Sequence, residues 1–263
     1  MSRVIAVANQ KGGVGKTTTA ISLAASLAVA EKRTLLVDCD PQSNATSGLG
    51  IQPDSERTSY QALLGECAAK DAVVGTELSY LWLLPAQRDL SGAEIELVPQ
   101  LSRETKLRDA LKSIRNDYDY VLIDCPPSLG LLTVNALTAA DSVLIPLQCE
   151  YYALEGLSQL LSTVDLVRQH LNPSLEVEGI LLTMNDQRSN LCKQVVDDAR
   201  AHFGGQVFDT VVPRNIRLSE APSHGKPILL YDISSRGAEA YLALARELLG
   251  RREGKSARAA SAS

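Results

Sequence analysis

Short apolar runs rich in β-branched residues alternate along this chain with stretches whose apolar positions recur every three or four residues. The runs Val4–Ala8, Thr34–Asp38, Leu81–Pro85, Tyr120–Asp124, Ser142–Pro146, Val177–Thr183 and Gln206–Val212 predict strands. Most are continuously apolar, as expected of strands covered on both faces. Helical patterns fall between them. Thr17–Ala30 is rich in Ala and Leu, Ser102–Arg115 places Leu107, Leu111 and Ile114 on one stripe, and Ala153–His170 has the length of a crossover. Ser235–Leu249 sets Tyr241, Leu244, Ala245 and Leu248 on one face. This βα alternation predicts an α/β fold: a doubly wound, mostly parallel sheet with helices on both faces.

No Pro-, Gly- or Ser-rich linker divides the chain and no segment repeats, so residues 1–249 are expected to form one domain. Residues 250–263 (GRREGKSARAASAS) lack apolar periodicity and are expected to be a disordered basic tail. The 263 residues, 45% of them hydrophobic, suffice for a well-buried core. A net charge of −5 argues against a uniformly basic nucleic-acid binder while leaving room for a local basic patch. The N-terminus lacks the charged and apolar regions of a signal peptide, and no apolar run approaches the ~20 residues that span a bilayer. A cytoplasmic location follows as the expectation. Five dispersed cysteines (Cys39, Cys67, Cys125, Cys149, Cys192) with no C-x-x-C read as buried reduced thiols.

The chemistry concentrates in NQKGGVGKTTT, residues 9–19. It follows a strand and opens a helix, the context of a phosphate loop of pattern G-x-x-x-x-G-K-[ST]. Gly12, Gly13 and Gly15 allow backbone N–H groups to turn inward around phosphate oxygens, and the helix N-terminus adds its positive dipole end. Lys16 is placed to reach β- and γ-phosphates and the Thr17 hydroxyl to ligate Mg²⁺. The loop departs from the pattern twice: Gln10 stands where the first glycine belongs, and Lys11 is an additional lysine. VLID ends at Asp124, which fits a Walker-B acid holding Mg²⁺ directly or through water. LLVDCD supplies Asp38 and Asp40. In a parallel sheet these strand ends share one edge, where ligands bind. An aspartate there could orient an attacking water; equally, Asp38 or Asp40 could be a helix cap or turn residue.

KGGVGKTT at 11–18 resembles the deviant Walker A motif of the ParA/MinD ATPase superfamily, and DCDPQSNAT at 38–46 and VLIDCPPSLG at 121–130 fit the same group. PRNIRLSEAPSHGKPILLYD at 213–232, with SSRGAEAYLALARELL after it, is similar to chromosomal (Soj-type) ParA partition proteins. The resemblance covers residues 3–249. It implies a P-loop NTPase-like fold and an ATPase using ATP and Mg²⁺. The ATP-bound form would be a sandwich homodimer on non-specific double-stranded DNA, nucleoid-associated, with slow hydrolysis stimulated by a ParB-type centromere-binding partner. Lys11 would cross the dimer interface to the other subunit's phosphates, Asp40 would position the hydrolytic water, and Asp124 would be the Walker-B acid. Lys11, Gly12, Gly13, Val14, Gly15, Lys16, Thr17 and Thr18 would bind nucleotide phosphates, with Pro213 and Asn215 at the adenosine end. Arg188 and Arg217 match the family's DNA-binding arginines, with Lys193, Arg214, Lys226 and Arg236 as further cations of the same stretch.

Composition alone does not predict that last transfer. Residues 185–236 hold seven cations against six anions, and a lone surface arginine is commonly half of an ion pair. A dimer would double any cationic face, and phosphate contacts do not read sequence. Rival readings fit less well. The tail lacks the apolar face of a MinD-like membrane helix, the cysteines form no cluster motif of a nitrogenase-iron-protein relative, and a bacterial tyrosine kinase would carry a tyrosine-rich tail. The phosphate loop begins too early for a preceding helix-turn-helix domain. A dethiobiotin-synthetase-like ligase shares the loop but would need a second substrate pocket.

Overall fold

The computed structural model describes residues 2–150 and 153–261. Its strands are β1 (Arg3–Val7), β2 (Thr34–Asp38), β3 (Val74–Gly75), β4 (Leu81–Leu84), β5 (Tyr120–Asp124), β6 (Ser142–Gln148), β7 (Glu176–Asn185) and β8 (Val207–Pro213). They form one sheet in the order β3-β4-β2-β5-β1-β6-β7-β8. Each pairing is parallel except that of the two-residue β3 with β4. Each apolar run read from the sequence becomes a strand, and the doubly wound architecture follows from it.

Side-chain alternation along the strands divides the core into two layers. Val4, Ala6, Leu35, Val37, Val121 and Ile123 face one layer; Ile5, Val7, Leu36, Tyr120 and Leu122 face the other. The first is closed by helices Leu131–Ala139, Ala153–His170 and Asn190–Phe203, through Leu132, Leu157 and Val195. The second is closed by helix Lys16–Val29 and the C-terminal helix Arg236–Ser261, through Leu23, Leu27 and Leu244. Ala20, Ala24 and Ala28 keep helix Lys16–Val29 close to the sheet, and each fully buried leucine beside them contributes on the order of 2 kcal/mol.

Two expectations change. Helix Ser102–Arg115 is shorter, Lys106–Leu111. Ser102 sits at φ +53, off the helical path. The first turn is held instead by Asn135, whose Oδ1 accepts from Leu107 N at 3.1 Å and whose Nδ2 donates to Arg103 O at 2.8 Å. The C-terminal helix does not stop at Leu249 but runs to Ser261. Its Ala, Arg, Lys and Glu residues are strong helix formers that need no apolar stripe. Arg251 lies 4.3 Å over the Phe208 ring and Arg252 5.3 Å over Tyr120, which anchors the first added turn. Glu247 of the same helix accepts from the Asp209 and Thr210 N–H groups at 2.8 and 2.9 Å, satisfying donors of edge strand β8.

Register fixes the site. β5 pairs β1 with Val7 beside Asp124, and pairs β2 with Asp38 beside Asp124. The carboxyl ends of β2, β5 and β1 therefore stand level; Asp124 ends the middle strand, and the glycine loop springs from β1 beside it.

Candidate functional site

The glycine loop is pinned at its start and at its middle. Asn9 Nδ2 donates to Pro146 O at 2.7 Å while its Oδ1 accepts from Lys11 N at 3.0 Å. Val14 is buried, and its carbonyl accepts from Thr183 Oγ1 at 2.9 Å. On either side of Val14 the backbone takes left-handed turns, at Gly13 (φ +74) and Gly15 (φ +89), where a side chain would cost about 1–2 kcal/mol. A Cβ at Gly12, Gly13 or Gly15 would meet nothing within 4 Å, so the loop surrounds open space. Gly15 precedes helix Lys16–Val29, and no side chain caps that helix. Its first-turn N–H groups thus point outward without side-chain acceptors, the arrangement that binds anions.

Lys16 lies only 6% exposed, its Nζ donating to Lys11 O at 3.0 Å across the loop. Burial pushes its pKa down, while the charges of Asp124 and Asp40 act against that. The three acids fare differently. Asp38 is fully buried but satisfied: Oδ2 accepts from Thr46 N (2.8 Å) and Thr46 Oγ1 (2.7 Å), and Oδ1 from Asp40 N (3.2 Å). Thr46 Oγ1 in turn accepts from Ala86 N at 2.9 Å. Asp38 therefore fastens the 40–46 loop to the strand ends, the structural role left open by the sequence. Asp40 is nearly buried, and its Oδ1 accepts from Gln42 N at 2.9 Å in a tight turn. Asp124 is fully buried with no hydrogen-bond partner on either carboxylate oxygen. Burial pushes its pKa well up, with the neighbouring Asp38 adding to this; the nearby Thr17 hydroxyl offsets part of it without meeting hydrogen-bond geometry. Burial likewise raises Asp38 to about 6 against the bonds it accepts.

Pro213 and Asn215 line a cavity of about 530 Å³ together with Gly15, Thr18, Met184 and Tyr241. The cavity opens directly beside the glycine loop. Asn215 Oδ1 accepts from Arg217 N at 2.8 Å, capping the turn Ile216–Glu220. Lys11 points elsewhere: its half-exposed Nζ lies 2.7 Å from Glu150 Oε2. The cations separate into groups. Arg188, Arg214 and Arg236 share the wall of a groove of about 900 Å³ with Asp186 and Glu239. Arg188 forks onto Asp186, with Nε–Oδ1 and Nη2–Oδ2 both 3.1 Å. Arg217 is outside that groove and pairs with Glu220 (2.9 Å) and Asp232 (3.5 Å); Lys226 pairs with Glu77 at 3.7 Å. Lys193 is exposed on helix Asn190–Phe203.

A family model described as an AAA domain matches residues 2–177. The chain is 64% identical to the chromosome partitioning protein ParA of Myxococcus xanthus, over 98% of this chain and 92% of that one. It is 60% identical to the sporulation initiation inhibitor protein Soj of Bacillus subtilis, over 94% and 98%. The chain belongs to the ParA/Soj family. The sheet and helices also match a crystal structure from Mycobacterium smegmatis, described as cobyrinic acid a,c-diamide synthase with bound ADP and magnesium. Identity there is 41%, coverage 96% of each chain and TM-score 0.84. Family membership thus agrees with the resemblance carried by the loop and the 213–232 segment. Among the described residues no helix is long and apolar enough to cross a membrane.

The residues present fit a divalent cation. An orphaned carboxylate and the Thr17 hydroxyl near it meet at one uncapped helix N-terminus, and hard oxygen donors suit magnesium, while the buried Lys16 beside them suits the phosphates. Some residues of the site escape sequence reasoning. Asn9 and Thr183 anchor the loop through bonds set by sheet order, and Met184 reaches the cavity wall from a left-handed backbone (φ +51). The sequence pattern sets Tyr241 only on an apolar stripe. Its hydroxyl meets Thr19 Oγ1 at 3.0 Å beneath the loop.

Proposed function

We propose that this chain is an ATP-operated switch that partitions DNA, of the kind its relatives' names describe. The observation that carries the reading is the fully buried, unpartnered Asp124 beside Lys16 at the mouth of the glycine loop. A buried unpaired carboxylate is costly, so its retention points to a cation that arrives with a ligand. Thr17 and Asp124, directly or through water, would hold magnesium, which when bound neutralises charge on the β- and γ-phosphates.

In this reading the amides from Gly12 to Thr18 and Val14 between them cradle the phosphates, and Lys16 leaves the Lys11 carbonyl for the γ-phosphate. Adenosine occupies the cavity walled by Pro213 and Asn215. Asp40 orients the attacking water from its turn at the adjacent strand end. Lys11 exchanges Glu150 for the phosphates of a second copy, so ATP assembles a homodimer. The dimer binds double-stranded DNA through phosphate contacts from Arg188 and Arg217, with Arg214, Arg236, Lys193 and Lys226 adding to them, and so resides on the nucleoid in the cytoplasm. A ParB-type partner speeds an otherwise slow hydrolysis and releases the DNA.

Particle mass and DNA retention measured with ADP, ATP and a slowly hydrolysed analogue test the cycle. Dimers on DNA are expected only with the triphosphates. Monomers under all three conditions would refute it. The name of the Mycobacterium structure raises a second reading, ATP-dependent amide formation; turnover that requires a small carboxylic acid, and is indifferent to DNA and partner, would establish that one instead.

A further inference from the structure

Helix Leu90–Glu96 and the turns after it carry apolar residues on two sides. Leu90, Ala93 and Leu97 are fully buried, whereas Ile95, Val98 and Leu101 are 76%, 55% and 90% exposed. Single exposed aliphatics are ordinary; three at successive turns form a patch. Turns continue past Glu96, since Val98 N donates to Ile95 O (3.2 Å) and Gln100 N to Leu97 O (2.9 Å); such i→i+3 bonds set Val98 beside Ile95, and Leu101 follows, exposed, in the next turn. Arg103 ties down the end of the strip by donating to Val98 O at 2.9 Å.

Carboxylates flank the strip. The Tyr60 hydroxyl donates to Glu96 at 2.9 Å, and its pKa is pushed up to about 12, first by that bond, then by burial, then by the charges of Glu96, Glu66 and Asp89. Of the cations near the strip, Arg103 is engaged with Glu104 at 2.9 Å, and the exposed Arg88 precedes Asp89, so Glu96 supplies most of the free negative charge beside the aliphatics. On the inner side, Glu94 of the same helix has a buried Oε1 without a partner, and that oxygen lies against Gly130. Gly130 ends the segment that follows Asp124 and precedes helix Leu131–Ala139. One short helix therefore shows an apolar, acid-flanked strip outside and touches the Asp124 loop inside.

We propose that Ile95, Val98 and Leu101, with Glu96 and Asp89 beside them, are the docking surface for a partner segment bearing both lysine or arginine and large aliphatic side chains. Its engagement is passed to the Asp124 loop through Glu94 against Gly130. The proposal rests on the partner-stimulated cycle set out above. Charge selects the occupant: across a two-fold axis a second copy of this acidic chain would bring carboxylates onto carboxylates, whereas a cationic segment neutralises them while covering the aliphatics.

The test uses the full chain with ATP and a fluorescent synthetic peptide of Leu and Lys at helical spacing, alongside its Leu→Ser counterpart. Wild type is expected to bind only the first peptide. Ile95→Ser with Leu101→Ser should weaken binding about tenfold or more, and Glu96→Gln a few-fold, with melting temperatures unchanged. Equal binding by wild type and variants overturns the surface. Loss of the ATP-dependent dimer in the serine variant also overturns it, by assigning the face to a second copy. Glu94→Gln should keep peptide binding but alter the hydrolysis rate at saturating peptide; an unaltered rate overturns the transmission step. A full-length ParB-type partner that fails to stimulate wild type, while the peptide binds as expected, counts against the proposed cycle and leaves the surface standing.

Discussion

Asp124 and Asp38 stand side by side on paired strands, both fully buried, and only Asp38 has hydrogen-bond partners. The pair divides structure from function at one strand edge. Asp38 fastens a loop, while Asp124 is held unsatisfied at the expense of stability. Asp124→Asn should therefore raise the melting temperature of the nucleotide-free protein by a few degrees near neutral pH, since it removes a buried acid that the unfolded chain would ionise freely. It should also abolish the stabilisation by ADP with magnesium that is expected of wild type. Calorimetry with and without the ligand pair checks both halves, and a lowered melting temperature in the free protein would contradict the account.

The same two acids set a pH dependence. Both have folded-state pKa values raised above the ordinary carboxylate value of 3.8, Asp38 to about 6 and Asp124 well up. The folded protein then holds more protons than the unfolded chain, so these groups stabilise it fully below about pH 4 and lose that contribution as pH rises through 6 and beyond. Melting temperatures across that window should fall more steeply for wild type than for Asp124→Asn. Parallel slopes would argue that Asp124 is ionised and paired in the free protein.

Much of this was legible in the sequence because burial on both sides of a parallel sheet leaves continuous apolar runs, and strand-loop-helix order places Lys16, Asp40 and Asp124 on one edge whatever the details. What stayed hidden depends on contacts between distant positions. LLTVNALTA at 131–139 is buried almost all round, so no period marks it as a helix. Asn135, which holds the start of helix Lys106–Leu111, is 28 residues from the N–H it caps. The tail misled because helix propensity, not amphipathicity, extends it. The cation groups could not be sorted from composition, since it is the fold that seats Arg188, Arg214 and Arg236 on one groove and leaves Arg217 outside it.

Asp40 can be tested without breaking its turn. Asn at position 40 keeps an oxygen for the Gln42 N–H but removes the charge. Asp40→Asn is expected to bind ATP normally and to hydrolyse it about 10²-fold more slowly or worse, within the range for loss of a positioned acid–base group. ATP-bound dimers should accumulate on DNA. A wild-type hydrolysis rate would remove Asp40 from the mechanism.

The cation geometry predicts unequal effects on DNA binding. Each arginine that meets a phosphate should, when replaced, lower the dependence of log affinity on log salt by about 1. Arg214→Ala and Arg236→Ala are expected to do so, because both line one groove. Arg217→Ala should do less, since two carboxylates already occupy its guanidinium, and Glu220→Gln should strengthen binding by freeing it. Salt titrations of DNA affinity in the ATP state decide; unchanged slopes in all four variants would place the DNA surface elsewhere.

Lys11 is the residue by which the loop departs from a single-nucleotide design. Within one chain Lys16 already lies across the loop, while the Lys11 ammonium is turned away onto Glu150, with both partners about half exposed. A solvated pair of this kind contributes at most about 1 kcal/mol, so phosphates of a second copy can displace it readily. Lys11→Ala should therefore leave the fold and most of the ATP affinity of the monomer intact and remove the ATP-dependent dimer, as sedimentation would show. Lys16→Ala should instead abolish nucleotide binding itself. If Lys11→Ala lost ATP binding as completely as Lys16→Ala, the two lysines would serve one nucleotide, and the second copy would lose its place in the site.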